Sequence, residues 1–160
     1  MKKLSNPYAK LEGYNCFGCA PKNNEGLRLT FYEDGDEIVT KWQPEHAYEG
    51  FHNVLHGGIQ ATLMDEIANW VVVTQTETSG MTVELNTKFH KAVMIENEKP
   101  ITIRAKLTEK DQKKATIHAQ IYNFAGDLCS ESNVVYYLFP PQVAARKLYY
   151  PGKAAFYESE

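Results

Sequence analysis

The chain of 160 residues has no excess of positive charge: its formal net charge is −3. Its lysines and arginines are scattered, with no run longer than a pair such as Lys113-Lys114. No basic stripe exists to follow a polyanion, so nucleic acid is excluded as an expected partner. Long hydrophobic runs are missing too. Plainly apolar stretches such as Trp70 to Val73 are far too short to cross a membrane. The opening residues Met1-Lys2-Lys3-Leu4-Ser5-Asn6-Pro7 hold no apolar segment of the kind an export signal needs. A cytoplasmic protein without a membrane partner is therefore expected. Cysteine is scarce: three residues cannot all pair with one another, so reduced thiols are expected.

Two of the cysteines form Cys16-Phe17-Gly18-Cys19. A zinc site would need two further ligands at suitable spacing, and a redox pair of the thioredoxin type should lead into a helix. The chain instead runs into Pro21-Lys22-Asn23-Asn24-Glu25-Gly26, a loop signal. The expectation is a structural turn with no metal.

With 43% hydrophobic residues, the length suits one compact domain with a substantial core. The most informative stretch is His56-Gly57-Gly58-Ile59-Gln60-Ala61-Thr62-Leu63-Met64-Asp65-Glu66. Ile59, Leu63, Ile67, Trp70 and Val71 follow helical spacing, while Ala61, Met64, Ala68 and Val72 cover much of the other side. A helix apolar on most of its circumference is buried on most of it. Asp65 has Ala61, Thr62, Ala68 and Asn69 as helical neighbours, small walls that leave room for a ligand; Glu66 lies one step round. Either acid could equally belong to a solvated stripe with Thr62 and Asn69. The glycines favour a site, because the first N–H groups of a helix lack internal partners and sit at the positive end of its dipole. Such donors suit a developing oxyanion.

Around this helix the pattern has period two. Leu27, Leu29 and Phe31 alternate with Arg28, Thr30 and Tyr32; Glu33-Asp34-Gly35-Asp36 reads as a hairpin turn; Ile38 to Trp42 returns. Residues 43–55, with His46, Tyr48, His52 and Asn53, form a loop suited to substrate contacts. The helix should end between Thr74 and Gly80. Strands then follow through Thr82–Phe89, Ile101–Leu107, Ala115–Ile121 and about Leu128–Phe139, and the turns between them suggest an antiparallel meander. The predicted organisation is a lead-in over 1–26, a domain over 27–139 and a peripheral tail over 140–160 with one short helix near Val143 to Tyr149. The fold class is α+β: about six antiparallel strands wrapped around one long central helix.

These residues resemble a hotdog-fold thioesterase, specifically the PaaI-like acyl-CoA thioesterase group. The resemblance runs from about Cys16 to Leu138 and rests on Asn15-Cys16-Phe17-Gly18-Cys19 with Glu25-Gly26-Leu27, on Val54-Leu55-His56-Gly57-Gly58 through Leu63-Met64-Asp65-Glu66, and on Thr82-Val83-Glu84-Leu85-Asn86. It implies a homodimer or dimer of dimers with the pocket at the subunit interface. It further implies Asp65 as the catalytic acid, the Gly57 N–H as the group polarising the thioester carbonyl, and Thr82 as a hydroxyl that helps place water or carboxylate. His56, Gly58, Asn53 and Glu66 are the expected substrate contacts. Some relatives carry an amide side chain ahead of the glycine turn, where this chain has Gly50, with Asn53 the nearest amide.

The expected reaction is hydrolysis of an acyl-CoA to a free acid and CoA, with Asp65 as general base or nucleophile. No cofactor is needed; coenzyme A enters only as part of the substrate. Two other readings use the same fold. A hydroxyacyl-thioester dehydratase would need a loop histidine such as His46 or His52, though neither stands in an H-F-P-G context. A non-catalytic acyl-CoA sensor would bind without turnover.

Overall fold

The computed structural model describes residues 1–157. Seven strands form one antiparallel sheet: β1 Lys2–Lys3, β2 Tyr32–Asp34, β3 Glu37–Trp42, β4 Gly80–Phe89, β5 Ile101–Lys110, β6 Lys114–Tyr122 and β7 Leu128–Leu138, in the order β1-β2-β3-β5-β6-β7-β4. The sheet wraps α1, Gly57–Gln75, as the apolar circumference of that helix predicts. Leu63, Met64, Ile67, Val71 and Val72 of α1 are fully buried against Ile38, Ile103, Ile117, Ile121 and Val134 of the sheet. No helix among the described residues is long and apolar enough to cross a membrane.

Three expectations need correction. First, residues 27–31 keep the predicted alternation, with Leu27, Leu29 and Phe31 buried, but form no ladder. Their backbone is engaged elsewhere: the N–H groups of Leu27 and Leu29 donate to the carbonyls of Phe17 and Gly18 at 2.7 and 2.9 Å, and Arg28 has φ of 50°. Second, only β5, β6 and β7 form a meander. β4 lies at the far edge beside β7, because residues 90–100 carry the chain across to β5 and on the way bond the loop before α1, Leu55 N–H to Val93 at 2.9 Å and Ile95 N–H to Asn53 at 2.8 Å. Third, the tail is not peripheral. After α2, Pro141–Leu148, the chain turns through a left-handed Tyr149 and returns to the core. There Phe156 is fully buried against Trp70, and Tyr150 Oη donates to the carbonyl of Val73 at 2.9 Å. The sheet leaves the C-terminal half of α1 partly uncovered, and these aromatics cover it. The last three residues of the expected tail, 158–160, lie outside the described residues.

Among the described residues, β4 has β7 on one side and no neighbour on the other. Along it Met81, Val83, Leu85 and Phe89 are all 40% exposed or more. A ten-residue apolar edge strand is a template for further pairing.

Candidate active site

α1 begins on a local device. His56 is the N-cap, and its Nδ1 accepts the Gly58 N–H at 2.8 Å, while its carbonyl accepts from Ile59 and Gln60. A ring nitrogen thus takes the part usually given to a Ser or Asp oxygen. Because Nδ1 accepts, the neutral ring carries its proton on Nε2. Gly58, an expected substrate contact, has its N–H committed to His56. The N–H of Gly57 has no partner within the described residues and is the free donor at the positive end of the helix.

Beside it lies an open cleft of about 540 Å³, lined among others by Glu49, Gly50, Phe51, His56, Gly57 and Gln60. That volume suits a small-molecule ligand. Gln60 is buried and doubly tied, donating to the Leu55 carbonyl at 3.2 Å and accepting from Ser130 Oγ at 2.8 Å, so the cleft wall is fixed. An amide in an otherwise apolar helix start is its only signal in the sequence. Asn53 sits in the adjoining loop with φ of 61°. Its main chain is pinned by Glu49 Oε2 and Ile95, and it does not line the cleft.

Asp65 lies two turns along, half-buried, and its Oδ1 accepts a hydrogen bond of 2.7 Å from Thr82 Oγ1 on β4. This joins two of the residues the sequence points to. A bulge between Thr82 and Glu84 interrupts the β4–β7 register at that point, a device that re-aims side chains. Tyr136, opposite Thr82 on β7, donates to the Asp65 main-chain carbonyl at 3.2 Å; burial pushes its hydroxyl pKa upward. Nothing in the sequence singles out Tyr136.

Asp65 and the Gly57 N–H do not meet within one chain. Eight residues of helix separate them by about 12 Å along the axis, and N–H groups at a helix start point outward, away from the residues that follow.

Glu66 faces elsewhere. Its carboxylate is enclosed by the cysteine turn, 3.7 and 3.8 Å from Cys16 Sγ, and a Cβ added at Gly18 would collide with it. Burial, then the neighbouring Cys16, holds the Glu66 carboxyl up to about 7. The Cys16 thiol is pulled down to about 5, chiefly by the hydrogen bond from Cys19. The sequence groups Glu66 with the substrate; its surroundings are the two thiols instead. Among the basic residues of the strands and turns, Lys91 is paired with Asp127 at 2.6 Å and Arg104 with Glu37 at 2.6 Å, whereas Lys88, Lys113 and Lys114 stand outside any ion pair among the described residues.

The thioesterase superfamily model matches residues 52–130, the stretch from the loop before α1 into β7. None of the curated proteins matches the sequence. Among solved structures, a thioesterase superfamily protein superposes with a TM-score of 0.67 at 24% identity, over 76% of this chain and 62% of its own length, so this chain spans somewhat under two thirds of that neighbour. Zebrafish thioesterase superfamily member 2 gives 0.63 at 22% identity over 69% of this chain and 81% of its own. A hypothetical thioesterase from Streptococcus pneumoniae, solved with coenzyme A, gives 0.64 at 17% identity over 71% and 90%. With the helix-in-sheet architecture and the family match over its central segment, the chain has the hotdog fold and resembles the thioesterase superfamily.

Proposed function

We propose that the protein is a PaaI-like acyl-CoA thioesterase whose active site is completed by a second copy of the chain. The observation that carries this reading is the 2.7 Å bond from Thr82 to Asp65, which orients one carboxylate oxygen and leaves the other for a water. In the reaction, Asp65 takes a proton from that water as its oxygen attacks the thioester carbonyl carbon. The carbonyl oxygen becomes an oxyanion against the Gly57 N–H. Collapse of the adduct breaks the C–S bond; the CoA thiolate leaves and takes up a proton, and the acid is released. His56, with Nε2 as its donor, stands at the cleft to hold the substrate.

Because donor and acid of one helix point apart, the Gly57 N–H must serve Asp65 of the partner subunit. The free edge of β4 supplies the means. Thr82 on this strand bonds Asp65, and the ring of Phe89 lies 3.4 Å from where a Gly57 Cβ would be. Antiparallel two-fold pairing centred on Asn86, with the bulge between Thr82 and Glu84 taking up one residue, sets Thr82 opposite Phe89 of the partner subunit, and so sets each acid beside the other chain's helix start. The same pairing covers the exposed apolar residues of β4.

The test is thiol release from a panel of acyl-CoAs, read with a colorimetric thiol reagent. Turnover that is abolished in Asp65→Asn while ligand binding persists supports the hydrolase. Tight acyl-CoA binding by the unmodified protein with no thiol release would establish a sensor instead.

A further inference from the structure

The cluster beneath the N-terminal turn is a second site, unrelated to the cleft and independent of the thioesterase reading. We propose that Cys16, Cys19 and Glu66 bind a divalent, thiophilic transition metal, zinc by preference, which fastens the N-terminal segment to α1. The three ligand atoms all lie within 4.8 Å of one another. The sulfurs are 3.6 Å apart, and the Glu66 oxygens stand 3.7 and 3.8 Å from Cys16 Sγ. A tetrahedral zinc with bonds of about 2.3 Å to sulfur and about 2.0 Å to oxygen requires ligand separations of about 3.8 Å between sulfurs and about 3.5 Å between sulfur and oxygen. Two of the three separations already stand at metal-binding values, and the third, from Cys19 Sγ to the Glu66 carboxylate, lies within 4.8 Å, so little rearrangement is needed.

Independent features support the assignment. The Glu66 carboxylate lies half-buried beneath the turn and makes no ion pair among the described residues, a costly state that a dication relieves. Only glycine at position 18 leaves room for that carboxylate beneath the turn. Tyr14 Oη lies 3.0 Å from Cys19 Sγ and steadies the second sulfur. The turn itself is clamped from behind by Leu27 and Leu29. Two thiolates with one carboxylate exclude magnesium and calcium, which take oxygen ligands, and fit zinc among the common divalent ions. Binding displaces the two thiol protons, and the fourth position is left to water. The ligand that sequence spacing fails to reveal is on α1, fifty residues after Cys16.

The reduced full-length protein, stripped with a chelator under inert gas, is titrated with Co2+ and then Zn2+. We expect a thiolate-to-cobalt charge-transfer band with the visible bands of a tetrahedral site, lost as zinc displaces cobalt at one ion per chain. Cys16→Ser and Cys19→Ser each abolish the band. Glu66→Gln retains part of it but binds zinc at least about tenfold more weakly, since loss of even an outer-shell partner costs that much. Absence of the band in the unmodified reduced protein overturns the proposal whatever the variants do. So does a band that survives loss of either cysteine. None of these readouts depends on acyl-CoA turnover.

Discussion

If each active site draws its acid from one chain and its oxyanion donor from the other, two individually dead variants should restore activity when combined. Asp65→Asn removes the base but keeps the size of the side chain and an oxygen for Thr82; loss of a general base costs roughly 10²–10⁴ in rate, or about 3–5 kcal/mol of barrier. Gly57→Pro removes only the N–H. Proline is accepted at the first position of a helix, and His56, at φ of −58° and ψ of 134°, already has the conformation a following proline demands. Loss of one oxyanion donor costs roughly 10²–10³, or about 3–4 kcal/mol. Either variant alone should thus show at most about 1% of normal thiol release. When the two chains are co-expressed, half of the dimers are mixed. A mixed dimer has one site with both defects and one with neither, so about a quarter of all sites are intact. Hydrolysis should rise to about a quarter of the unmodified value, well over ten times that of either variant. If purified mixed dimers stay as inactive as their parents, donor and acid belong to the same chain, and the shared-site reasoning fails.

Three further outcomes follow from particular contacts. Thr82→Val keeps the branched shape on an exposed strand but loses the bond to Asp65. A hydrogen bond to a charged group contributes about 1.5–3 kcal/mol, so kcat should fall by about 10–100-fold with KM little changed, as steady-state kinetics will show. Leu85→Lys puts a charge at the centre of the free β4 edge, where Leu85 is 40% exposed. Sedimentation should report a folded monomer and thiol release should disappear; an intact dimer would reject β4 as the joining edge. Phe156→Ala empties a fully buried aromatic position against Trp70 and should lower unfolding free energy by about 3–5 kcal/mol in urea titration. A change under about 1 kcal/mol, well below the usual cost of such a truncation, would mean that the tail does not complete the core.

The long helix is legible because its apolar spacing runs unbroken from Ile59 to Val73, and most strands because alternation survives wherever one sheet face is buried. Strand order is not. Thr82–Phe89 and Ile101–Leu107 carry the same period-two pattern whether or not they are neighbours, and only the path of residues 90–100 separates them. The tail misleads because Pro140-Pro141 ends a strand convincingly, while the burial of Phe156 depends on a gap beside Trp70 that no local pattern records. At the site, the glycine turn and Asp65 stand out, but the choice between Asp65 and Glu66 rests on family resemblance alone. The fold separates them: one carboxylate meets Thr82 on β4, the other lies beneath Gly18. Seizure of the Gly58 N–H by His56 is hidden because a histidine cap has no distinctive spacing.

Phe156 and Tyr150 sit against Trp70 and Val73, and the Phe156 carbonyl accepts the Ser5 N–H at 2.8 Å. During synthesis the segments around Ser5 and Phe156 can therefore close on each other only once residue 156 has emerged. Until then the nascent domain presents Trp70 and Phe31 to its surroundings, a sticky face that chaperones would meet. Truncation ahead of Tyr150 would leave Asp65 and Thr82 in place in a protein that cannot shut.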